Sequence, residues 1–421
     1  MTHKLMETIC APENIVAAVR AVRRNRGAPG VDGVTVYDLP ALMAACWPEM
    51  ERALLEGRYQ PQPVRRVMIP KPGGGGERAL GIPTVLDRVI QQAVLQQLQP
   101  VWDPTFSVHS FGFRPGRSAH QAVAQAQAYV MQGCQYVVDL DLAKFFDRVN
   151  HDRLVAAVAK RVSDRRVLRL VRGFLEAGVL CNGLVEVSPK GVPQGGPLSP
   201  LLSNLVLDEL DRELERRGQR FVRYADDCNI YVRSEKAGQR VMASITRFIE
   251  TRLKLQVNAA KSAVAHPWER SFLGFTLRSE RDLRRCVAPR AIARFKSRVR
   301  ELTGRSRGVS MARVIADLNP ILRGWAGYFR LSQWGELASL DGWIRRRLRC
   351  LVWVQWRTPR RRVGELERLG AARSAIFAAI KSPKGPWRQS SSNALNAAFG
   401  KARFRLLGLV SMADSVKAQS A

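Results

Sequence analysis

The chain has 421 residues, 46% of them apolar, which is enough for two or three domains with a sizeable buried core. Its 68 Lys and Arg residues outnumber 36 Asp and Glu residues, and a net charge of +32 predicts nucleic acid as its partner. No apolar run approaches the roughly 20 residues of a membrane span, and no signal peptide begins the chain, so a cytoplasmic protein with no membrane role is expected. Seven scattered cysteines without a CxxC pair exclude a disulfide framework and a structural zinc site.

The first two thirds of the chain alternate between strand and helix patterns. A glycine run at 72–76 predicts the tip of a short hairpin. The β-branched run 136–141 predicts a strand, followed by a helix near 152–162 and a strand-like run at 185–192. Ser199 suits the N-cap of the next helix, with proline at its first position.

Two strands, 221–223 and 229–232, flank a tight acidic turn, and a helix at 237–253 precedes a strand at 271–277. The order strand, helix, strand, strand, helix, strand is typical of an antiparallel sheet backed by helices, the split βαβ arrangement. The predicted fold class is therefore α+β, followed by an all-helical region.

That last region, from 281 to 362, has 21 Lys or Arg residues against five Asp or Glu residues and holds five tryptophans. A basic stretch with interleaved aromatic residues predicts helices that grip nucleic acid. A helical bundle with a tryptophan core and solvated arginines is the alternative, and both descriptions hold if the two residue types occupy opposite helix faces.

Three carboxylates carry the strongest chemical signal. Asp141 ends a buried-looking strand, and Asp226 and Asp227 lie at the tip of an apolar hairpin. Acids placed together there repel one another and lose hydration unless a cation is present. Two Mg²⁺ ions would resolve the conflict and suit a phosphoryl-transfer reaction. For an isolated Asp-Asp pair, simple turn chemistry is the alternative.

Further residues fit a nucleotide pocket. Phe146 follows Asp141 closely and could reject a ribose 2′-hydroxyl, although core packing would be the better explanation if Phe146 stood alone. The PQGG segment at 193–196 offers the Gln194 amide beside two glycines that permit close approach to a ligand. Lys71 and Arg78 flank the glycine tip and could reach one triphosphate. The alternatives are a plain strand-to-helix turn for the PQGG segment and a solvated loop for Lys71 and Arg78.

These segments, in order, resemble the polymerase motifs of group II intron-encoded reverse transcriptases/maturases. The motifs that carry the resemblance are VDLDLAKFFD at 138–147, PQGG at 193–196, YADD at 224–227, RGAPGVDG at 26–33, IPKP at 69–72, RALGIP at 78–83, SFGFRPGRS at 110–118, LGF at 273–275, NP at 319–320 with RGW at 323–325, and GPWR at 385–388. The resemblance covers about residues 25 to 410. It implies a right-hand polymerase with fingers and palm at 1–280, a helical thumb/maturase domain at 281–365 and a basic, DNA-binding helical extension at 366–421.

The resemblance also implies roles for individual residues. Asp141, with the adjacent Leu142, and Asp226 would hold the metal, and Asp227 would complete the acidic triad. Asp139 is the alternative first ligand. The other implied roles are pyrophosphate protonation for Lys261, substrate binding for Lys71, Arg78, Phe146, Gln194, Gly195 and Tyr224, and RNA binding for Arg114, Arg323, Trp325 and Tyr328.

The implied reaction is RNA-directed DNA synthesis with two Mg²⁺ ions, for which Mn²⁺ could substitute. The implied partners are dNTPs, an RNA template with a DNA primer, group II intron RNA and target DNA. Many relatives carry an HNH endonuclease with paired cysteines and histidines, but no histidine follows residue 266, so we expect none here.

Several alternatives stay open at this point. A splicing maturase that binds intron RNA would need little polymerase activity and could lose the carboxylates, all of which are present. A free-standing, host-adopted polymerase would have the same protein sequence. Retron and diversity-generating reverse transcriptases usually vary the PQGG or thumb motifs, which are intact here.

Overall fold

The computed structural model describes residues 4–70, 76–181, 184–186, 190–192, 194–279 and 281–420, and divides into two compact units, Met1–Arg270 and Ser271–Ala421. The helices of the first unit are α1 (Leu5–Cys10), α2 (Pro12–Asn25), α3 (Leu39–Leu55), α4 (Val85–Trp102), α5 (Ala119–Met131), α6 (Phe145–Arg148), α7 (His151–Ala159), α8 (Arg165–Glu176), α9 (Ser199–Arg216) and α10 (Glu235–Phe248), with a 3₁₀ turn at Asp103–Thr105 and a π turn at Ile249–Leu253. Its strands are β1 (Val64–Pro70), β2 (Glu77–Ile82), β3 (Tyr136–Leu140), β4 (Val179–Cys181), β5 (Leu184–Glu186), β6 (Arg220–Tyr224), β7 (Asp227–Val232) and β8 (Ala263–Ala265).

The strands of the first unit form two sheets. One has the order β2-β1-β4-β5, in which only β1 and β4 run parallel. The other has the order β6-β7-β3-β8 and is antiparallel throughout. An antiparallel sheet backed by helices confirms the predicted α+β class.

The membership of the antiparallel sheet differs from the prediction in two strands. The run at 185–192 contributes only β5, which pairs with β4 in the other sheet. The fourth strand is β8, whereas the run at 271–277 forms a hairpin in the second unit. Alanine-rich β8 has low intrinsic strand propensity, and it forms a strand because β3 offers a free edge for backbone hydrogen bonds.

Helices α9 and α10 cover the sheet from the core side. Phe221 and Ile230 are fully buried there. At Gly238 in α10, a Cβ atom would lie 2.5 Å from Val264 Cγ1, so the missing side chain lets the helix lie close to β8. Helix α9 begins at Ser199, and its N-cap is Leu198, so the predicted cap was wrong by one residue.

The second unit consists of a β-hairpin followed by helices, so the predicted all-helical region contains one strand. Its elements are β9 (Phe275–Leu277), β10 (Arg285–Val287), α11 (Pro289–Leu302), α12 (Met311–Tyr328), α13 (Trp334–Gln355), α14 (Pro359–Arg368), α15 (Arg373–Lys381), α16 (Pro386–Gln389), α17 (Asn393–Ala398), α18 (Lys401–Leu406) and α19 (Met412–Ser420). Within the described ranges, every helix is too short or too polar to cross a membrane. The domain boundaries at 280/281 and 365/366 stay predictions.

Candidate active site

The acidic turn between β6 and β7 is the tightest part of the site. Tyr224 pairs with Asp227, so Ala225 and Asp226 form a two-residue turn. Ala225 has φ of 56°, a left-handed conformation that is uncommon for residues other than glycine. A Cβ atom on Gly112 would lie 2.2 Å from the Ala225 nitrogen, so the loop before α5 supports the turn by direct backbone contact.

Sheet register brings Asp141 to the same place. Strand β3 pairs with β7 as far as Leu140 and Cys228, and Asp141 and Asp227 are the next two residues in that register. The Asp141 amide donates to Ser262 Oγ at 3.0 Å, and its carbonyl accepts from the Asn258 amide at 2.8 Å. The 257–262 loop therefore holds the end of β3, where Leu142 pairs with Val257.

The two carboxylates of the turn, Asp226 and Asp227, both have raised pKa values. Burial raises the pKa of Asp226, and repulsion from Asp141 adds to this, while Arg78 opposes it. Burial of the Asp227 carboxyl among surrounding atoms raises its pKa to about 7, and repulsion from Asp226, Asp139 and Asp141 adds to this shift. The residue as a whole is nevertheless exposed to solvent. Both shifts reflect the crowding of acidic groups at this end of the sheet, which disfavours their charged forms unless a cation is bound.

The neighbouring acid Asp139 has a different environment. Arg270 donates to Asp139 Oδ2 through Nε and a terminal nitrogen, and also donates to the Lys261 carbonyl at 2.7 Å. Burial raises the pKa of Asp139, and Arg270 opposes that shift. Asp139 is thus held in an ion pair, which supports Asp141 over Asp139 as the proposed first ligand.

Lys261 lies at the edge of the acidic site. Its ammonium is 3.5 Å from Asp141 Oδ2, and its side chain is 66% exposed. An exposed cation at this distance reduces the repulsion among the carboxylates. The same position is compatible with the predicted protonation of pyrophosphate.

The carboxylates are arranged as an open site of the kind that Mg²⁺ takes, not as a site in which protein ligands enclose the ion. Among the described residues, no group of three or more His, Cys, Asp or Glu side chains is arranged to enclose an ion. Mg²⁺ keeps several waters and takes one or two protein carboxylates together with substrate phosphates. Asp141 and Asp226 offer such an open set of oxygens, with the repulsion that a divalent cation would relieve.

The glycines of the PQGG segment contact protein rather than an open pocket. Pro193 and Lys71 lie outside the described residues. The Gln194 carbonyl accepts from the Gly81 amide of β2 at 2.9 Å, and a Cβ atom on Gly195, which has φ of 137°, would lie 2.5 Å from the Gly81 oxygen. Gly195 is therefore needed for contact with β2, and its role in substrate binding stays a prediction.

Phe146 follows a second left-handed residue, Lys144, with φ of 51°. Its ring is half-buried and packs at 5.1 Å from that of Phe145, which belongs to the core. The Phe146 carbonyl accepts from the Val192 amide at 2.6 Å. The predicted sugar gate is thus tied to the segment 190–192 by a backbone hydrogen bond.

Comparison with known proteins assigns the chain. Residues 69–277 match the reverse transcriptase (RNA-dependent DNA polymerase) family, and residues 292–370 match the group II intron maturase-specific domain. YkfC of Escherichia coli is 35% identical over 305 residues, which are 63% of this chain and 80% of YkfC. The chain belongs to the family of group II intron-encoded reverse transcriptases/maturases.

Other relatives match a smaller share of this chain. The group II intron-encoded protein LtrA of Lactococcus lactis is 30% identical over 296 residues, 55% of this chain and 49% of LtrA, so the chain spans about half of that relative. A Cas6-RT-Cas1–Cas2 complex has a chain with 25% identity and a TM-score of 0.39, covering 59% of this chain and 42% of that one. The matched reverse transcriptase region is that of an RNA-directed DNA polymerase, a class of enzyme that depends on divalent metal.

Two predicted RNA-binding residues of the maturase-specific domain serve packing within the second unit. The Trp325 ring lies 4.2 Å from that of Phe295 and 4.4 Å from that of Phe329. The Tyr328 hydroxyl donates to the Leu273 carbonyl in the β9 turn at 2.8 Å, while 38% of the residue stays exposed. Arg323 is exposed and remains available for RNA.

Arg114, the remaining predicted RNA contact, has a supporting role instead. Its side chain is 4% exposed and pairs with Asp103 at 2.8 Å. One guanidinium nitrogen also donates to the Ser107 and Ser110 carbonyls. The prediction that Arg114 contacts RNA is corrected, because its donors are used within the loop that precedes α5.

Sequence reasoning missed the buried Arg223, which directly precedes the YADD motif and contacts its turn. The available signal was a charged residue inside an apolar strand, since such a residue needs a buried partner. It also missed Arg270, whose partner Asp139 lies 131 positions away.

Proposed function

We propose that this chain adds deoxynucleotides to a DNA primer 3′-hydroxyl on an RNA template, using two Mg²⁺ ions held by Asp141, Asp226 and Asp227. The observation that carries the proposal is the convergence of these acids at one end of the β6-β7-β3-β8 sheet, where Asp141 raises the pKa of both Asp226 and Asp227. Family membership supplies the reaction class. Mn²⁺ is the substitute ion we expect to work.

Bound Mg²⁺ would activate the 3′-hydroxyl and neutralise charge on the departing pyrophosphate. Asp141 and Asp226 would hold the ions, because their backbones are fixed by the 257–262 loop and by the Gly112 contact. Arg78, whose charge already acts on Asp226, contacts the incoming triphosphate together with Lys71. Lys261 delivers a proton to the pyrophosphate.

The remaining pocket residues select and align the nucleotide. Phe146 packs under the sugar and excludes a 2′-hydroxyl. Gln194, held against β2 through its carbonyl, lies under the nascent base pair. Tyr224 and Gly195 also contact the bound nucleotide.

A second function, binding of group II intron RNA to assist splicing and retrohoming, is supported by the second unit. Lys296, Arg300 and Arg347 all approach the Trp343 ring within 5.7 Å. In the described part of the chain, none of these three cations is within ion-pair distance of a carboxylate. Burial and the neighbouring Arg300 lower the pKa of Arg347. A cluster of uncompensated cations on an aromatic ring is suited to an RNA backbone.

Domain roles follow from the same proposal. Fingers and palm occupy 1–280, the thumb/maturase domain 281–365, and a basic extension that contacts target DNA 366–421. In the extension, Trp387 stacks under Arg346 of α13 at 4.1 Å, so this ring is engaged within the protein.

The test is primer extension and intron splicing measured side by side on Asp226→Ala. We expect extension to fall at least about a hundredfold, with RNA affinity and splicing unchanged. The matched control is Asp152→Ala, which removes an exposed acid paired with Arg172. An Asp226→Ala protein that polymerises normally would contradict the metal assignment. A wild-type protein that promotes splicing without extending primers would favour the maturase alternative.

A further inference from the structure

We propose that Arg223 is a positioning residue that holds the YADD turn in its active shape, through a buried network with α9 and the loop before α5. This inference rests on the proposed polymerase function, because it concerns the same turn. Arg223 does not reach substrate, since its side chain and that of its partner Asp211 are both 0% exposed.

The first contact is with the turn itself. A terminal nitrogen of Arg223 donates to the Ala225 carbonyl at 2.9 Å. Ala225 has the left-handed conformation noted above, which is unfavourable for alanine and persists only if its surroundings impose it. The hydrogen bond from Arg223 fixes the peptide that joins Ala225 to Asp226, and so fixes where the Asp226 carboxylate points.

The second set of contacts fixes Arg223. Asp211 of α9 accepts from Nε at 2.7 Å and from a terminal nitrogen at 2.5 Å, a two-point pair that only a guanidinium can form. Asn204, two helical turns earlier on α9, accepts from Arg223 at 3.0 Å, and Ser110 accepts at 2.8 Å. The planar guanidinium group of Arg223 is thus held in a single orientation.

The third set links the network to the loop before α5. The Asn204 amide also donates to the Gly112 carbonyl at 3.0 Å, and Gly112 abuts the nitrogen of Ala225. The Phe111 amide donates to the Arg223 carbonyl at 2.8 Å. The turn is therefore held from the carbonyl of Ala225 by Arg223 and from its nitrogen by the loop, and Asn204 connects both.

The decisive variant is Asn204→Ala, with Ser203→Ala as its control. Asn204→Ala removes the link between Arg223 and Gly112 but keeps the Arg223–Asp211 ion pair. Ser203 is an equally buried neighbour on α9 whose hydroxyl donates to the Ser199 carbonyl within the same helix. We expect Asn204→Ala to retain template–primer affinity, to lower kcat by about ten- to a hundredfold and to need more Mg²⁺ for half-maximal extension. Ser203→Ala should match wild type.

A second readout does not depend on activity. Hydrogen–deuterium exchange of peptides covering 221–230 should be at least about tenfold faster in Asn204→Ala, because a turn released from its network opens more often. The conservative variant Arg223→Lys keeps the charge but lacks the fork, and should show the same two effects. The double variant Arg223→Met with Asp211→Leu removes both charges together, which avoids an unpaired buried charge.

The proposal would be overturned if Asn204→Ala or the double variant had normal kcat, normal Mg²⁺ dependence and normal exchange. It would also be overturned if Arg223→Lys behaved like wild type, since the positive charge alone would then suffice. If wild-type protein extends no primers, the proposed function fails, whereas faster exchange confined to 221–230 would still support the positioning role. If the double variant does not fold, Asn204→Ala decides the question.

Discussion

Arg270 donates two hydrogen bonds, of 2.9 and 2.6 Å, to one carboxylate oxygen of Asp139. Asp141 lies two residues further along the chain. Within the described ranges, its one ion pair is with the exposed ammonium of Lys261, at 3.5 Å. One acid of the strand is therefore committed to a protein cation, and the other lies open at the end of the sheet. This difference separates a structural carboxylate from a proposed metal ligand.

We expect Asp141→Asn and Asp139→Asn to behave differently. Asp141→Asn should lower kcat for primer extension at least about a hundredfold, because it removes a ligand that acts in the transition state. Asp139→Asn should lower it less than about tenfold and should mainly reduce stability, since Arg270 loses its partner. Steady-state extension and thermal unfolding of both variants test this. Equal losses of kcat would contradict the assignment.

Phe146→Ala should weaken discrimination against ribonucleotides. Without the ring, the pocket no longer excludes a 2′-hydroxyl, so the ratio of kcat/KM for dNTP to that for rNTP should fall by roughly ten- to a hundredfold. Phe146→Leu, which keeps part of the side-chain volume, should have a ratio between those of wild type and Phe146→Ala. The measurement is single-nucleotide incorporation with matched dNTP and rNTP. An unchanged ratio would make Phe146 a packing residue only.

Arg114→Ala should destabilise the first unit without weakening RNA binding. The variant leaves the Asp103 carboxylate and three backbone carbonyls without their donor, and removing one partner of a buried pair costs roughly 3–5 kcal/mol in the free energy of unfolding. Arg117→Ala, a less buried arginine three residues later, should cost under about 1 kcal/mol. Urea unfolding and RNA titration of both variants distinguish the roles. A stable Arg114→Ala protein with weaker RNA binding would restore the original prediction.

Lys296→Gln and Arg300→Gln should reduce the salt dependence of RNA binding. Each cation that neutralises a phosphate contributes about one unit to the slope of log Kd against log salt concentration. The control is Arg298→Gln on the same helix, because Arg298 already pairs with Glu301 at 2.7 Å. We expect its slope to be close to that of wild type. Identical slopes in all three variants would show that the Trp343 cluster does not contact RNA.

Asp164→Asn should remove part of the acid sensitivity of folding. Asp164 accepts from the Met6 amide of α1 at 3.0 Å and pairs with Arg166 of α8 at 2.9 Å, with a side chain 2% exposed. Burial alone would raise its pKa, but the hydrogen bonds from Arg166 and Met6 outweigh this and hold the pKa below its ordinary value.

A depressed pKa stabilises the folded state above the ordinary value of about 4, and the stabilisation is lost as pH falls through the folded pKa. Asp164→Asn should therefore lower the free energy of unfolding at pH 7 by about 2 kcal/mol and make it vary less between pH 5 and 2. Exposed Asp152→Asn should change it by under about 1 kcal/mol. An Asp164→Asn protein with the wild-type pH profile would contradict the ion-pair argument.

Local patterns in the sequence were sufficient for the fold class and the family. The strands around the YADD turn and the helix that begins at Ser199 have strong periodicity, and both are present in the structure. The order of the motifs indicated the reverse transcriptase and maturase regions that the comparisons confirm. Such features depend on residues close in sequence, where backbone periodicity and turn chemistry act directly.

Tertiary structure decided the contacts between distant segments. Strand β8 exists because β3 leaves an edge free, which its Ala-Val-Ala sequence does not indicate. Gly195 proved necessary for contact with Gly81, and Arg114 was committed to Asp103, because the burial of a side chain depends on what packs against it. Likewise, only the fold places Arg270 on Asp139 and Arg223 on the turn. The sequence by itself determined which chemistry the residues can perform; three-dimensional packing decided which acids are open and which are already paired.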